Sequence, residues 1–360
     1  MKVIYVVLAP ILMISGLFLS CKKDRGSIDF KPKGELQDTV SQDTVGGIFT
    51  AIKKNTDSLY LLPFIGKPLD ISSYDGANQS THPSIIYFPN KWKGWKLWMV
   101  HTPYPFSKDF YENPSIAVSN DGVNWSTPSG LINPLDFCGI KENQDKYHYS
   151  DGELVFREDL QQMECWYRYS KNAVLEEIWR RTSKDGKTWT QKELMIKTDA
   201  NSVNMVLSPT VLWEDGKYRV WSVAADPFRV EYRESINGKD WTKPVSLKLS
   251  LAKNIAPWHI EVKKNDSGYE MLLDVFNVWN KDPHTKFLMT SKSQDGVNWG
   301  EFRNSMKASE KKDHWNGKMI YRSSFIKVEG LYIVYYSAMA FDSSWGIGIA
   351  MGNSLDNLVY

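Results

Sequence analysis

An all-β fold, a five-bladed β-propeller, is predicted by three observations. A seven-residue phrase recurs five times, two strand-like runs precede each copy, and polar residues stand at the start of the first run. The copies read S-N-D-G-V-N-W at 119–125, S-K-D-G-K-T-W at 183–189, S-I-N-G-K-D-W at 235–241, S-Q-D-G-V-N-W at 293–299 and a worn S-L-D-N-L-V-Y at 354–360. They stand roughly 50 to 65 residues apart, a period that marks a propeller or other repeat array. Length alone would divide 360 residues into about two domains. The repeats override that prior, because blades cannot bury their faces singly.

In each phrase Asp-Gly or Asn-Gly is a hairpin signal: glycine accepts the positive φ of a tight turn, and the Asp or Asn side chain binds the turn's own amides. The tryptophan three residues after the glycine is expected to wedge between blades as scaffold. The strand pairs run 82–88 to 96–100, 150–156 to 164–169, 208–213 to 217–221, 258–262 to 269–273 and 321–326 to 331–336. Short runs rich in Val, Ile, Tyr, Phe and Trp between turn residues read as strands. Each blade then has an inner strand, a middle strand and an outer hairpin. Because the chain stops directly after the fifth phrase, the last blade is expected to lack an outer strand, with a segment between about 28 and 62 covering that edge.

The N-terminus carries Met1-Lys2, an apolar run over 3–19 and then Ser20-Cys21. This order describes an export signal. Leu19-Ser20-Cys21 resembles a bacterial lipobox, which implies lipidation at Cys21, attachment to a membrane and a place in the bacterial cell envelope. The expected organisation is a signal peptide at 1–20, a flexible tether at 21–44 and a propeller at 45–360. Cys138 and Cys165 are expected to be free thiols. A net charge of +2 with dispersed Lys and Arg offers no basic stripe for nucleic acid, and a monomer is expected.

The inner strands of a propeller begin together at one mouth of the central channel. Those starts supply His82, Asp151 with Glu153, Ser208, His259 with Glu261, and Arg322. Alternation puts Asp151 and Glu153 on one face, and His259 and Glu261 on another. Two carboxylates flanking a pocket suit glycoside hydrolysis, and histidines can share the proton work. Asp151 and Glu261 are the expected carboxylates, with His82 and His259 as proton-handling partners. Asp75, Glu153, Ser208, Trp258, Arg322 and Tyr104 are the expected substrate contacts, and Tyr104, Trp258, Trp279 and Trp345 could stack on a sugar. No cofactor is required by this scheme. The histidines could bracket a channel calcium ion, but no loop has calcium-site spacing, and no Cys/His spacing resembles a zinc site.

The five units, their polar strand starts and the S-x-D-G-x-x-W hairpins resemble the five-bladed propeller glycoside hydrolases, the group that includes families 43, 32, 117 and 130. The resemblance covers the chain from about Tyr74 onward and implies an O-glycosyl hydrolase, exo-acting on a polysaccharide or oligosaccharide. Family 43 places an acid on each of the first three blades. Here His82 stands at the first place with Asp75 just upstream, Asp151 at the second and Ser208 at the third, so of that triad only Asp151 carries over. Family 117 is similar in using a histidine as acid. The sialidases have a longer box, S-x-D-x-G-x-x-W, and six blades. A glycan-binding propeller without catalysis is the alternative, favoured by the missing third-blade acid.

Overall fold

A computed structural model of the protein describes residues 64–139, 147–172, 175–198, 206–225, 227–280 and 285–360. The expected signal peptide, Cys21, the tether and the edge-covering segment at 28–62 lie outside the described residues. Five antiparallel sheets follow one another along the chain. Blade one holds β1 (Ser80–Trp92), β2 (Trp95–Pro103) and β3 (Ser115–Ser119). Blade two holds β4 (Tyr147–Arg157), β5 (Gln162–Lys171), β6 (Leu175–Ser183) and β7 (Glu193–Lys197). Blade three holds β8 (Leu207–Glu214), β9 (Lys217–Ala224), β10 (Arg229–Ser235) and β11 (Val245–Ser246). Blade four holds β12 (Ile255–Asn265), β13 (Gly268–Asn277), β14 (Lys286–Ser293) and β15 (Arg303–Met306). Blade five holds β16 (Met319–Val328), β17 (Leu331–Met339), β18 (Trp345–Ser354) and β19 (Asn357–Val359). The inner strands β1, β4, β8, β12 and β16 neighbour one another in that order, and β16 returns to β1, closing the ring.

Each junction between blades has its own apolar core. Trp98 and Leu154 belong to the junction of blades one and two, Trp166 and Val211 to the next, and Trp221 and Ile260 to the third. Leu272 and Val334 join blades four and five, and Met99 with Tyr335 closes the ring. The recurring phrases build these junctions. In the first, the Ser119 hydroxyl accepts the Gly122 amide at 2.8 Å and Asp121 Oδ1 accepts the Asn124 amide at 2.8 Å. The same pattern recurs from Ser183, Ser235 and Ser293.

The turn glycine is needed for space as well as for φ. A Cβ on Gly186, where φ is +75°, would lie 2.1 Å from the Trp98 ring, and one on Gly296 would lie 2.7 Å from Trp221. The hairpin of each blade is thus pressed onto the middle strand of the preceding one. Where the fifth copy loses its glycine to Asn357, blade four offers Leu272 instead of tryptophan, and Leu355 shares its cluster. Of the four phrase tryptophans expected to be buried wedges, Trp125 and Trp299 are buried, while Trp189 and Trp241 are half-buried.

Blade five corrects the expected edge. Its outer strand exists, supplied by β19, which pairs with β18 at Met351 and Gly352. The rest of that edge is taken by the chain just before blade one: Ile65 and Pro68 bridge to Ile349 and Gly348, and the Leu69 amide donates to Ile347 O at 2.8 Å. Cys165, buried, and Cys138, half-buried, are free thiols as expected.

Candidate active site

Every inner strand is bulged near its start. The register breaks between Thr81 and Ser84, Ser150 and Glu153, Leu207 and Thr210, Pro257 and His259, and Ile320 and Ser323. A bulge adds an unpaired residue and re-aims the side chains around it. In blades one to three that residue takes left-handed backbone: φ is 52° at His82, 53° at Asp151 and 47° at Ser208. Such conformations cost about 1–3 kcal/mol in non-glycine residues and cluster at functional sites. Gly152 makes the second bulge possible, since a Cβ there would meet Val100 at 2.7 Å.

Three side chains meet where these bulges converge. Asp151 Oδ1 lies 3.7 Å from His82 Nε2 and 3.4 Å from His259 Nδ1. The other carboxylate oxygen accepts Arg168 Nε at 2.7 Å and the Ser208 amide at 3.3 Å. Arg322 Nη1 stands 3.6 Å from Oδ1. Burial alone would raise Asp151, but the Arg168 guanidinium above all, with that of Arg322, holds it well below the usual carboxylate range. Burial lowers His82 to about 3 and His259 well below its ordinary value, so both rings are neutral. His82 Nδ1 is engaged by Thr102 Oγ1 at 2.8 Å.

The facing atoms, His82 Nε2, Asp151 Oδ1 and His259 Nδ1, are all buried without a hydrogen-bond partner. Buried polar atoms are normally satisfied. Three such atoms lie within 4.8 Å of one another and could together hold a cation. Two neutral imidazoles and one carboxylate suit a divalent first-row metal, whereas calcium takes six to eight oxygens. Spacing along the chain could not reveal this group, because its three atoms arrive from three different blades.

The triad forms the floor of a cavity of about 180 Å³. Its walls carry the aromatic side chains of Tyr104, Trp258 and Tyr321, and a polar side made of Asp109, Glu112 and His148. Trp258 Nε1 donates to the Tyr321 hydroxyl at 3.0 Å, and Tyr104 packs on Trp345 at 5.3 Å between ring centres. Glu112 Oε2 lies 3.6 Å from His148 Nε2. Burial, reinforced by the Asp151 charge, raises Glu112 well above the ordinary glutamate value, and burial lowers His148 to about 3. The shift favours the protonated form of Glu112 beside the cavity.

Five of the expected site residues line this cavity: His82, Asp151, His259, Tyr104 and Trp258. The others stand elsewhere. Glu261 and Glu153 are two residues farther down their strands and fully buried in the channel. There Glu261 Oε1 accepts Ser324 Oγ at 2.5 Å and faces Lys263 Nζ at 2.8 Å, while Glu153 Oε2 faces Arg322 Nη2 at 2.9 Å. Burial and the neighbouring Glu261 raise Glu153 to about 8. Glu261 is thus bound within a buried quartet with Glu153, Lys263 and Arg322 rather than facing Asp151 across the mouth. Ser208 contributes its amide to Asp151, and Arg322 acts from below on Asp151 and Glu153. Asp75, half-buried, is held in a turn by the Ser73 hydroxyl. Sequence reasoning missed Glu112, Asp109, His148 and Tyr321. The first two come from the connection after β2, which belongs to no repeat. His148 and Tyr321 had a signal, the one three residues before Asp151 and the other first in the fifth inner run.

No family profile matches the chain. The A type blood N-acetyl-α-D-galactosamine deacetylase of Flavonifractor plautii is 28% identical over 318 residues, covering 74% of this chain and 41% of its own length. The chain thus spans less than half of that curated relative. A crystal structure of an N-acetylgalactosamine deacetylase from F. plautii, in complex with blood group B trisaccharide, superposes with a TM-score of 0.70 at 25% identity, over 80% of this chain and 95% of that one. An α-L-arabinofuranosidase from Podospora anserina, in complex with cellotriose, has a TM-score of 0.57 at 13% identity, over 80% and 96% of the two chains, and shares the fold. The chain is a five-bladed propeller, similar in sequence and structure to an N-acetylgalactosamine deacetylase and sharing its fold with an arabinofuranosidase.

Proposed function

We propose that the protein is a glycan deacetylase that hydrolyses the acetamido group of an N-acetylhexosamine at the end of an oligosaccharide. The observation that carries this reading is the convergence of His82 Nε2, Asp151 Oδ1 and His259 Nδ1, three buried atoms without a hydrogen-bond partner. The similarity to an N-acetylgalactosamine deacetylase supports it. A divalent cation bound there would supply Lewis acidity to an amide carbonyl and acidity to a water.

The remaining work falls to the chain's own side chains. Arg168 fixes one oxygen of Asp151 and leaves the other free for the cation. Tyr104, Trp258 and Tyr321 present apolar surface to a sugar ring. Amide hydrolysis forms a C–O bond from water and breaks the C–N bond, and the departing nitrogen needs a proton. Glu112, adjacent to His148 and biased by burial toward its protonated form, is placed at the cavity wall to give one, where general acid catalysis contributes about 10²–10⁴-fold. We further propose that Cys21 carries a lipid that keeps the propeller at the bacterial envelope, on the strength of the Leu19-Ser20-Cys21 sequence.

Glycoside hydrolysis is the second reading, favoured by the same buried acid, Glu112, which could protonate a glycosidic oxygen. One incubation separates the two. A trisaccharide ending in N-acetylgalactosamine is treated with the protein, with chelator or with added Mn²⁺, Zn²⁺ or Co²⁺, and released acetate, free amine and free monosaccharide are measured. Deacetylation predicts equal acetate and amine, abolished by chelator and restored by a metal. Monosaccharide without acetate would establish the glycosidase, and neither product would leave a glycan-binding propeller.

A further inference from the structure

The cavity has room for about one sugar residue, so any glycan that enters it must continue along the surface outside. A single aromatic surface leads away from it across blades three and four. Trp258, on the cavity wall, is in ring contact with Phe228 at 5.8 Å and Phe276 at 5.9 Å, and those two meet edge to face at 5.1 Å. Phe228 lies in the connection before β10 and is 36% exposed. Beyond Phe276 the chain leaves β13 through Val278 and Trp279, both exposed.

The ledge is rigid where it joins the cavity. Trp258 is tied through Nε1 to Tyr321, meets His259 edge-on at 5.9 Å, and has Lys286 Nζ 4.2 Å from its ring centre. The same ammonium stands 4.5 Å from the Tyr321 ring. An indole held on an edge and over a ring keeps its orientation without a ligand, and pre-organised aromatic surface loses little entropy when a sugar stacks on it. Scattered exposed aromatics need no explanation, whereas a contiguous set running out of a cavity marks a binding surface.

We infer that Trp258, Phe228 and Phe276 form a second subsite, which stacks the pyranose ring next to the one in the cavity and so makes the protein select oligosaccharides over single sugars. The inference rests on the glycan-acting reading above, though not on deacetylation. The test is calorimetric binding of two probes, the methyl α-glycoside of N-acetylgalactosamine and a trisaccharide ending in the same residue, to the wild type, Phe228→Ala and Phe106→Ala. Phe106 is a control, being the exposed aromatic on the other loop that borders the cavity. An aromatic contact is worth about 0.5–1.5 kcal/mol, which converts to a factor of about 2–12. The trisaccharide should therefore bind the wild type more tightly than the methyl glycoside, and F228A should shrink that ratio about 2- to 12-fold, with F106A leaving it intact.

An equal ratio in wild type and F228A, or its collapse in F106A, would overturn the ledge. So would a wild type that binds both probes equally, while the cavity's role as a sugar site would stand. Failure of the folded wild type to bind either probe would overturn both readings.

Discussion

Replacing His259 by leucine should make the metal-free protein more stable and the enzyme inactive. Both ring nitrogens of His259 are buried without partners, and an unsatisfied buried donor or acceptor costs about 1–3 kcal/mol. Leucine removes both. The ring is neutral, so no charge pair with Asp151 is lost. Against this stands the edge contact with Tyr321 at 4.3 Å, worth about 0.5–1.5 kcal/mol, and an imperfect fit of about 1 kcal/mol or less. With each orphan and the ring contact at the middle of its range and the fit at about 1 kcal/mol, the balance is a gain of about 2 kcal/mol, or a melting midpoint higher by about 2 °C or more. The wild type should recover the difference when a divalent ion is added. An ion at 100 times its dissociation constant stabilises by about 2.7 kcal/mol, and the variant should not respond. The assay is thermal unfolding of both proteins in chelator and then in excess Mn²⁺, Zn²⁺ or Co²⁺, beside acetate release. A variant that melts below the wild type in chelator, or that shows the same ion-induced shift, would falsify the cation-site reading.

Glu112→Gln should lower turnover about 10²–10⁴-fold. Because Glu112 is raised above 4.5 in the fold, the metal-free wild type should lose stability as pH climbs above that value, where the unfolded chain releases a proton that the folded one retains. Urea unfolding across pH 4–8 should show a decline that E112Q lacks, and parallel curves would refute the buried acid. Trp125→Ala and Trp299→Ala should each cost about 3–5 kcal/mol, and Trp189→Ala and Trp241→Ala distinctly less, since those rings are half-buried; equal losses in denaturant titrations would contradict the burial difference. Gly186→Ala should be severely destabilising because its Cβ would meet Trp98 at 2.1 Å, whereas Gly216→Ala, with open space around its Cβ, should cost only the strain of its positive φ. Cys21→Ala should abolish incorporation of labelled palmitate and release the protein from membranes; continued labelling would exclude Cys21 as the attachment point.

The blade count, the strand pairs and the hairpins were legible because each is a local signal repeated five times. The mouth of the channel was only half legible. The position of an inner-strand start identified His82, Asp151 and His259, since these residues stand at or beside the bulge of their blades. It failed for Glu153 and Glu261, because a strand advances about 3.3 Å per residue, and two residues suffice to carry a side chain from the mouth to the channel interior. Alternation gave the correct face and the wrong depth. Glu112 lay beyond reach for another reason: it arrives on the connection after β2, a one-off insertion without a counterpart in the other blades, so no comparison between repeats could single it out.

The way the blades differ explains how one repeating backbone yields a site that does not repeat. All five inner strands carry one extra residue at the same level, so the main chain aims five side chains toward one axis whatever they are. The occupants differ: His82, Asp151 and Ser208 fill the bulges of the first three blades, Trp258 the fourth, and Tyr321 the fifth. In the fourth blade the bulge spans the single residue Trp258 between paired Pro257 and His259, and it is the next residue, His259, that reaches Asp151. That local shift lets blade four supply both an aromatic wall and the imidazole that faces Asp151 from adjacent positions. The left-handed backbone at His82, Asp151 and Ser208 is strain that the inter-blade packing sustains, for Gly152 lies against Val100 in the core between blades one and two. Relieving the strain by deleting the extra residue would turn Asp151 away from both histidines by reversing the face of every residue before it in β4. Deletion of Gly152 should therefore abolish metal binding and catalysis while the remaining blades retain their hairpins, and a deletion variant that still bound the ion would show that the bulge does not position the site.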